Sequence, residues 1–261
     1  MTKNTTIPYE VKALSERERK VITSLKMVKR RREEGLFISE GIKTTELLLE
    51  RFNLRWLVIS KERLDLISRC QDHISTLRIA PIEVMKRLSQ LESRQEIIAV
   101  FEYPSSDSKQ ITEVDGLSVA LDEVQDPGNL GTIIRLCDWL GISSLICGKG
   151  CADPYSPKVI QASMGAIGNV DLLCDIDLPT FLPQHFDQII ATTMSGDDYR
   201  KVDRKQLLGA VLLFGNEGKG LSPNLLKLAT KQIAIPRALT SISDSLNVSM
   251  SAAILLSSLI P

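Results

Sequence analysis

Two short apolar runs near the C-terminus constrain the fold of this chain more than any other feature. They occupy residues 211–214 and 233–235, and each one ends at a break, Gly215 in the first case and Pro236 in the second. A helix start follows each break, so we predict two buried strands that feed loops. Loops in that position can hold a ligand.

The loop after the first run contains glycines at positions 215, 218 and 220. That order matches neither the GxGxxG of dinucleotide folds nor the GxxxxGK[ST] of phosphate loops, and Glu217 would repel a phosphate. Glycine permits a left-handed backbone and close approach, which favours a neutral or cationic ligand that touches the backbone. The alternative is an ordinary strand-turn-helix connection that uses glycine for its geometry.

Length and charge limit the classes of protein to be considered. The 261 residues suffice for one large or two ordinary domains, and 32 basic side chains balance 32 acidic ones. No global electrostatic field therefore draws the chain to nucleic acid, and any such partner must be held locally. The N-terminus lacks the apolar core of a signal peptide and no run reaches about eighteen apolar residues, which predicts a cytoplasmic protein without a membrane span.

Cysteine and histidine give no sign of a metal site. The five cysteines are odd in number and lack C-x-x-C spacing, and the two histidines, His73 and His185, are distant in sequence. A zinc site or a disulfide framework is therefore not expected. Two histidines also leave little room for histidine acid–base catalysis.

Residues 10–34 alternate charge densely around one apolar stripe, which predicts an amphipathic helix with a basic end. That end holds Lys29, Arg30, Arg31 and Arg32, the candidate contacts for phosphate groups. The alternative is a solvated helix end, since the helix dipole favours cations near a C-terminus.

Strand-like and helix-like segments alternate on both sides of a polar, turn-rich stretch. Before it, strands are predicted at 36–38, 56–59 and 97–101 and helices at 42–52 and 61–70; after it, strands are predicted at 117–121, 145–147 and 188–191. We therefore predict a small α/β domain at 1–104, a linker at 105–114 and a second α/β domain at 115–261.

Two predicted helices in the second domain carry candidate functional faces. The helix that ends at Gly141 buries Leu130, Ile133, Ile134, Cys137 and Leu140. Its Arg135 either pairs with Asp138 on the surface or turns toward a ligand. The C-terminal helix carries Leu246, Met250, Ala253, Ile254 and Ser257 at helical spacing. That face can pack on another helix, inside the chain or at a subunit interface.

Three blocks of sequence occur in a fixed order: Asn129 with Arg135 six residues later, FGNEG at 214–218, and SLNVS at 245–249. Together they resemble the motifs of the SpoU/TrmH family of RNA ribose 2′-O-methyltransferases, within the SPOUT superfamily. The likeness covers the chain from about Leu117 to the end. The stretch RRREEGLFISEG at 30–41 is similar to the small RNA-substrate-binding α/β domain of that family.

The resemblance implies a parallel α/β sheet whose C-terminal segment is tucked into a deep trefoil knot, with S-adenosylmethionine bound by the knot loops. It also implies a homodimer that packs the knot regions together. Knots are almost absent from proteins, so the spacing of the residues alone would not suggest one.

The same resemblance assigns site residues to positions in this chain. The cofactor would be held by Thr192, Thr193, Met194, Leu213, Gly215, Gly218, Ile235 and Leu246. The catalytic polar centre would consist of Asn129, Arg135, Glu217, Ser245 and Asn247. A cationic sulfonium ligand would also explain why an acidic residue, Glu217, occupies a glycine-rich loop.

The implied reaction moves the sulfonium methyl in line to a ribose 2′-hydroxyl, which must lose its proton. In the family the arginine of the first block, here Arg135, is proposed to act as the base. A guanidinium with a pKa above about 12 is a poor proton acceptor near neutral pH. We therefore expect Arg135 to clamp the adjacent phosphate and stabilise the developing alkoxide, with deprotonation aided by Asn129 or Glu217.

Large-subunit ribosomal RNA is the expected substrate, because a substrate-binding domain precedes the catalytic one, and transfer RNA is the alternative. A loop or bulge nucleotide is expected, since it is easier to present to a pocket than a paired one. Two other classes stay open: an RNA-binding factor that has lost methyl transfer, and a nucleotide-binding enzyme with phosphate loops, which the order of the glycines disfavours. The segment 237–244 lacks the glycine usual in the family and should border the cofactor.

Overall fold

The computed structural model describes residues 11–63, 65, 77–91, 97–104 and 116–260. Contacts within the chain divide it into two compact units: Met1–Pro104 with Tyr155–Gln161, and Ser105–Pro154 with Ala162–Pro261. The segment Tyr155–Gln161 thus groups with the first unit, although the sequence assigned it to the second domain. The predicted linker at 105–114 and residues 66–70 of a predicted helix lie outside the described residues.

The first unit is built on a five-stranded mixed sheet. Its strands are β1 (Val11–Ala13), β2 (Leu36–Glu40), β3 (Leu54–Ser60), β4 (Leu77–Ala80) and β5 (Ile97–Glu102), in the order β1-β4-β3-β5-β2. Strand β4 is parallel to β1 and β3, and β5 is antiparallel to β2 and β3. The helices are α1 (Glu16–Ser24), α2 (Val28–Glu34), α3 (Ile42–Leu49) and α4 (Ile82–Leu88). Strands β1 and β4 and helix α4 were not predicted from the sequence.

The helix predicted over 10–34 is instead two helices, and Arg31 bridges the break between them. Helix α1 begins with a capping box, in which Ser15 and Glu18 bond each other's backbone amides. Its C-cap is Leu25, whose carbonyl accepts a hydrogen bond from the Arg31 guanidinium at 2.6 Å. The predicted contact of Arg31 with RNA phosphate is therefore wrong: the residue is 2% exposed and satisfies a helix-end carbonyl in the interior.

The second unit is built on a six-stranded sheet in which every described pair of neighbours is parallel. Its strands are β6 (Ser118–Leu121), β7 (Ser144–Gly148), β8 (Asp171–Ile176), β9 (Gln188–Asp198), β10 (Ala210–Phe214) and β11 (Lys231–Ala234), in the order β11-β9-β10-β6-β7-β8. The helices are α5 (Pro127–Trp139), α6 (Pro157–Ser163, divided between the units), α7 (Leu178–His185), α8 (Pro223–Leu228) and α9 (Val248–Leu259). The predicted parallel α/β sheet is thereby confirmed.

The centre of this sheet positions a cluster of loops. Strands β6 and β10 are buried along their whole length, which is why their sequences are apolar without alternation. Helix α5 follows β6 and buries Leu130, Ile133, Ile134 and Cys137, as predicted. Because neighbouring parallel strands end at the same edge, β6, β9 and β10 deliver their following segments side by side. That edge is where ligands bind in open parallel sheets.

Two carboxylates in the first unit have pKa values displaced in opposite directions. Burial raises the pKa of Glu40, although Ser89 and Gln90 donate hydrogen bonds to it at 2.6 and 2.7 Å. Burial also opposes ionisation of Glu18, but hydrogen bonds from a backbone amide and from the Arg78 guanidinium outweigh it and lower the pKa.

Glu40→Gln should flatten the pH dependence of stability in the first unit. Because the pKa of Glu40 is raised in the folded state, the free energy of unfolding falls as pH rises from the ordinary carboxyl pKa through the raised one. The neutral variant lacks that fall, so it should match or exceed the stability of the wild type at pH values above the raised pKa of Glu40. Urea unfolding followed by the fluorescence of Trp56, in a Trp139→Phe background, measures the difference.

Glu18→Gln is the control, because the pKa of Glu18 is shifted in the opposite direction to that of Glu40. The lowered pKa of Glu18 means that its ionised form stabilises the fold above the ordinary carboxyl pKa, and that this contribution is lost as pH falls through the lowered one. The variant should be less stable than the wild type at neutral pH by roughly 1–3 kcal/mol, because the Arg78 guanidinium loses its carboxylate partner. Equal slopes for the wild type and Glu40→Gln would contradict the assignment for Glu40.

Candidate functional site

A cavity of about 500 Å³ lies beside β9 and the segments that follow β10 and β11. This volume falls in the range of small-molecule sites, roughly 300 to 1,000 Å³. The lining includes Thr192, Thr193 and Met194 of β9, Gly215, Asn216, Glu217, Lys219 and Gly220 after β10, and Ile235, Pro236, Arg237, Ala238, Ser241, Ser243, Ser245 and Leu246 after β11. The segment 237–244, which was expected to border the cofactor, thus contributes four residues to the cavity lining.

The inner wall of the cavity is apolar, and one hydroxyl in it has no partner. Phe214, Leu226, Ile233 and Leu255 contribute to the apolar part. The Thr193 hydroxyl is buried without a hydrogen-bond partner among the described residues, whereas the Thr192 hydroxyl donates to the Leu213 carbonyl at 2.7 Å. A buried polar group without a partner is costly, so the wall suits a ligand that combines apolar surface with a polar atom.

The loop after β10 closes on itself at Gly215. A Cβ on Gly215 would lie 2.3 Å from the backbone carbon of Gly220. Asn216 and Gly220 exchange two backbone hydrogen bonds at 3.1 and 2.8 Å, and Gly220 takes a left-handed φ of 69°. A Cβ on Gly218 would make only an ordinary contact at 3.6 Å. The close approach predicted for glycine is thus an approach between two parts of the same loop.

Four polar side chains from three segments form one hydrogen-bond network beside the cavity. Asn129 Nδ2 donates to the Glu217 carboxylate. Asn129 Oδ1 accepts from Asn247 Nδ2 at 3.0 Å and from the Ser249 hydroxyl at 3.1 Å. Asn129 thereby joins the loop after β10 to the start of α9.

Helix starts position both asparagines. The Asp126 carboxylate caps α5 by accepting a hydrogen bond from the backbone amide of Asn129 at 2.8 Å. Asn247 caps α9 itself, because its Oδ1 accepts from the amides of Ser249 and Met250 at 2.9 and 3.3 Å. The two helices pack against each other, and their first turns meet through these side chains.

Most of the residues predicted to hold a cofactor line the cavity. They are Thr192, Thr193, Met194, Gly215, Ile235 and Leu246, joined by two predicted catalytic residues, Glu217 and Ser245. Leu213 and Gly218 are exceptions. Leu213 is buried in β10, where its carbonyl bonds Thr192, and the Gly218 amide donates to Asn216 Oδ1 at 2.9 Å. Both support the loop rather than border the cavity.

Arg135 lies on the exposed side of α5 and does not line the cavity. The surface pair with Asp138 does not form: that carboxylate accepts from Asn169 Nδ2 at 2.6 Å. The described part of the chain gives the Arg135 guanidinium no hydrogen-bond or ion-pair partner. Arg135 is therefore available to an anionic group from outside the chain.

The basic run on α2 keeps three exposed members, Lys29, Arg30 and Arg32. Glu33 lies 2.8 Å from Arg30 and 3.8 Å from Lys29. Exposed ion pairs of this kind are weak, so the run retains cationic groups at the surface.

Sequence reasoning missed three residues that organise the site: Asp126, Asn216 and Ser249. The signal for Asp126 was available, since an Asp before a Pro at a helix start is a capping pattern. Ser249 stands in the third sequence block, but its bond to Asn129 spans 120 positions and no local pattern predicts it. The bond of Asn216 Nδ2 to the Glu123 carbonyl, at 2.9 Å, is hidden for the same reason.

The arrangement presents a carboxylate and an apolar wall to one ligand. Glu217 lines the cavity and suits a cationic group or a hydrogen-bond donor. Within the described ranges no group of three or more His, Cys, Asp or Glu side chains could hold a metal ion. No described helix is long and apolar enough to cross a membrane.

Parallel sheet, loop-built cavity and carboxylate network together define an α/β enzyme with a small-molecule site. The model of the SpoU rRNA Methylase family matches residues 116–257, more than half of the chain. A second model, the MRM3-like substrate binding domain, matches residues 17–99. The chain therefore belongs to the SpoU rRNA methylase family, as the resemblance predicted.

Similar proteins extend the likeness over almost the whole chain. The 23S rRNA (guanosine(2553)-2′-O)-methyltransferase RlmP of Bacillus subtilis (strain 168) is 26% identical over 235 residues, 87% of this chain and 89% of its own. A structure described as an RNA methyltransferase of the TrmH family from Porphyromonas gingivalis shares 34% identity with a TM-score of 0.82, over 94% of this chain and 98% of its own. An AdoMet-bound rRNA methyltransferase from Sinorhizobium meliloti shares 28% identity with a TM-score of 0.81, over 96% and 97%.

Gly215→Ala should destabilise the second unit, whereas Gly218→Ala should not. The added methyl group at 215 would meet backbone atoms of Gly220 and Leu221, which cannot move aside as a flexible side chain can. We expect a loss of roughly 1–3 kcal/mol in the free energy of unfolding at 215 and a change within about 0.5 kcal/mol at 218. Thermal and urea unfolding of the two variants check this, and equal effects would contradict the closed loop.

Proposed function

We propose that this protein transfers a methyl group from S-adenosylmethionine to a ribose 2′-hydroxyl of structured RNA, with 23S ribosomal RNA as the substrate. The observation that carries the proposal is the Asn129–Glu217–Asn247 network at the side of a cavity built from β9 and two loops. Membership of the SpoU rRNA methylase family supports the reaction class. The name of the Bacillus subtilis relative supports the choice of 23S RNA.

The cavity fits S-adenosylmethionine. Its apolar wall suits an adenine ring, the unpartnered Thr193 hydroxyl suits a polar atom of the nucleoside, and the Glu217 carboxylate suits a cation. Thr192, Met194, Gly215, Ile235 and Leu246 would hold the cofactor from the remaining sides. When bound, it supplies a methyl group activated by a sulfonium.

The network favours Glu217 over Asn129 as the group that draws the proton from the 2′-hydroxyl. Both hydrogen bonds that Asn129 Oδ1 accepts come from the protein, so its acceptor sites are filled. The Glu217 carboxylate accepts from Asn129 Nδ2 and keeps further lone pairs for a substrate hydroxyl. Asn129 therefore orients Glu217, and Asn247 and Ser249 fix the amide of Asn129.

Arg135 would act on the RNA rather than on the cofactor. It is exposed on α5, outside the cavity, with no described partner to neutralise it. A guanidinium so placed can bond a phosphate beside the target ribose and stabilise the developing alkoxide. Lys29, Arg30 and Arg32 of the first unit would supply further phosphate contacts, whereas buried Arg31 would not.

A trefoil knot would account for the path of the C-terminal segment. Strand β11 is at the edge of the sheet, with β9 and β10 between it and β6. The chain then runs from β11 to α9, which packs against α5, so residues 235–247 must pass the ends of β9 and β10. We propose that they pass through the connection at 199–209, which would place the cavity inside the knot.

A homodimer through the same region would cover an apolar face that one chain leaves open. Helix α9 buries Val248, Ala252, Leu255, Leu256 and Leu259, so the predicted face with Met250, Ala253 and Ser257 points elsewhere and is exposed. On α5, Trp139 is 85% exposed. Exposed aromatic and methionine side chains are enriched in the centres of protein interfaces.

Trp139→Ser combined with Met250→Ser should shift the protein from dimer to monomer. The two substitutions remove large apolar surface from the proposed interface, which should raise the dimer dissociation constant by about 100-fold or more. Sedimentation velocity over a concentration series measures it. Leu47→Ser, at a site in the first unit about as exposed as Met250, is the control and should leave the distribution unchanged. A wild type that is monomeric at all concentrations would contradict the dimer.

Methyl transfer is tested on unmodified RNA made by transcription. Wild-type protein with tritiated S-adenosylmethionine should label 23S RNA, and digestion with mass spectrometry should identify a 2′-O-methylated nucleoside in a loop or bulge. Labelling of transfer RNA instead would change the assigned substrate but leave the proposed reaction unchanged. Salt-dependent RNA binding without cofactor binding or labelling would replace the enzyme with an RNA-binding factor.

Glu217→Gln and Arg135→Ala should fail in different ways. Loss of the proton acceptor in Glu217→Gln should lower kcat by about 100-fold or more while RNA affinity stays near the wild-type value. Arg135→Ala should weaken RNA binding and lower kcat, with unchanged affinity for S-adenosylmethionine because the residue does not line the cavity. Single-turnover rates and cofactor titrations separate the cases, and a fully active Glu217→Gln would refute its assigned role.

A further inference from the structure

The side chain of Asn216 ties the loop after β10 to the loop after β6. Its Nδ2 donates to the Glu123 carbonyl at 2.9 Å. Its Oδ1 accepts from the amides of Gly218 and Lys219 at 2.9 and 3.1 Å. Asn216 borders the cavity, yet both polar atoms of its side chain bond the protein's own backbone, so it acts on the loops.

Glu123, the residue that receives this bond, has an unusual backbone conformation. Its φ of 52° is left-handed, a region that residues with a Cβ seldom adopt and that is often found where a site is held under strain. Its carboxylate lies 3.7 Å from Lys219 Nζ, a weak exposed pair. Beside it, Asp122 accepts from the Ser222 amide at 2.8 Å. Asn216 therefore belongs to a set of three contacts that clamp the two loops together.

Glu217 lies inside this clamp. The Asn216 side chain bonds the amides on the C-terminal side of Glu217 and, across the gap, the loop that leads into α5 and Asn129. These hydrogen bonds thereby fix the loop that carries Glu217 relative to the loop that leads to Asn129.

We propose that Asn216 is a positioning residue for the methyl transfer, and that its amide sets the place of the Glu217 carboxylate against Asn129. This inference rests on the proposed function of the site. Reaction rates are sensitive to displacements of about 1 Å in such groups. An amide is required here, because the contact to Glu123 needs a donor and the contacts to the loop amides need an acceptor.

Asn216→Ala and Asn216→Asp test the proposal, with Asn224→Ala, at an exposed asparagine of α8 outside the cavity, as the matched control. Asn216→Ala should lower kcat by about tenfold or more and leave the KM for S-adenosylmethionine within about threefold. Asn216→Asp keeps the acceptor but sets a carboxylate against the Glu123 carbonyl. Its kcat should therefore fall by a similar factor, while circular dichroism shows a folded protein. Asn224→Ala should behave as the wild type. A wild-type kcat in Asn216→Ala would overturn the proposal.

A double-mutant cycle separates positioning from general weakening of the fold. If Asn216 acts through Glu217, adding Asn216→Ala to Glu217→Gln should cost little beyond Glu217→Gln alone. A second loss as large as the first would mean that Asn216 acts by another route and would overturn the proposal.

Amide hydrogen exchange of residues 215–222, without cofactor or RNA, keeps this inference distinct from the proposed function. Exchange should be about tenfold faster in Asn216→Ala than in the wild type or Asn224→Ala. Unchanged exchange would overturn the clamp even in an active enzyme. A wild type that transfers no methyl group would end the proposed function, while faster exchange in Asn216→Ala would still support the clamp.

Discussion

The site depends on the hydrogen bonds made by the side-chain amide of Asn129. It bonds Glu217, 88 positions away, and Asn247, 118 positions away, so it joins three segments that only the fold brings together. Each partner is itself held at the end of a regular element: Asn129 in the first turn of α5, Asn247 at the cap of α9, and Glu217 in a loop closed by backbone contact at Gly215. Small displacements of these ends would separate the side chains.

Local charge, rather than net charge, organises the chemistry. Basic and acidic residues are equal in number, so RNA can be attracted only by exposed cations without strong internal partners, such as Arg135. The carboxylate of Glu217 lies instead at the cavity, where a phosphate would be repelled and a sulfonium attracted. Anionic substrate and cationic cofactor would thereby be directed to different parts of the same site.

Strands and helices with strong apolar patterns were predictable, and residues fixed by tertiary bonds were not. Buried β6 and β10 follow from short apolar runs, and the inner face of α5 follows from helical periodicity. The cavity lining at 192–194, 215, 235 and 246 follows from the family resemblance. The break before α2 was missed because Arg31, which reads as a surface cation, turns inward to bond the Leu25 carbonyl. Leu213, which the resemblance assigns to cofactor binding, is buried in β10 outside the cavity lining, a tertiary detail that the sequence blocks do not show.

The central claim is that β9 and the loops after β10 and β11 form the cofactor site. Calorimetric titration of the wild type and Arg135→Ala with S-adenosylmethionine tests it most directly. The structure predicts one site per chain with the same affinity in both proteins, because Arg135 lies outside the cavity. Absence of binding to the wild type, or loss of binding in Arg135→Ala, would contradict the account and place the cofactor elsewhere or nowhere on this chain.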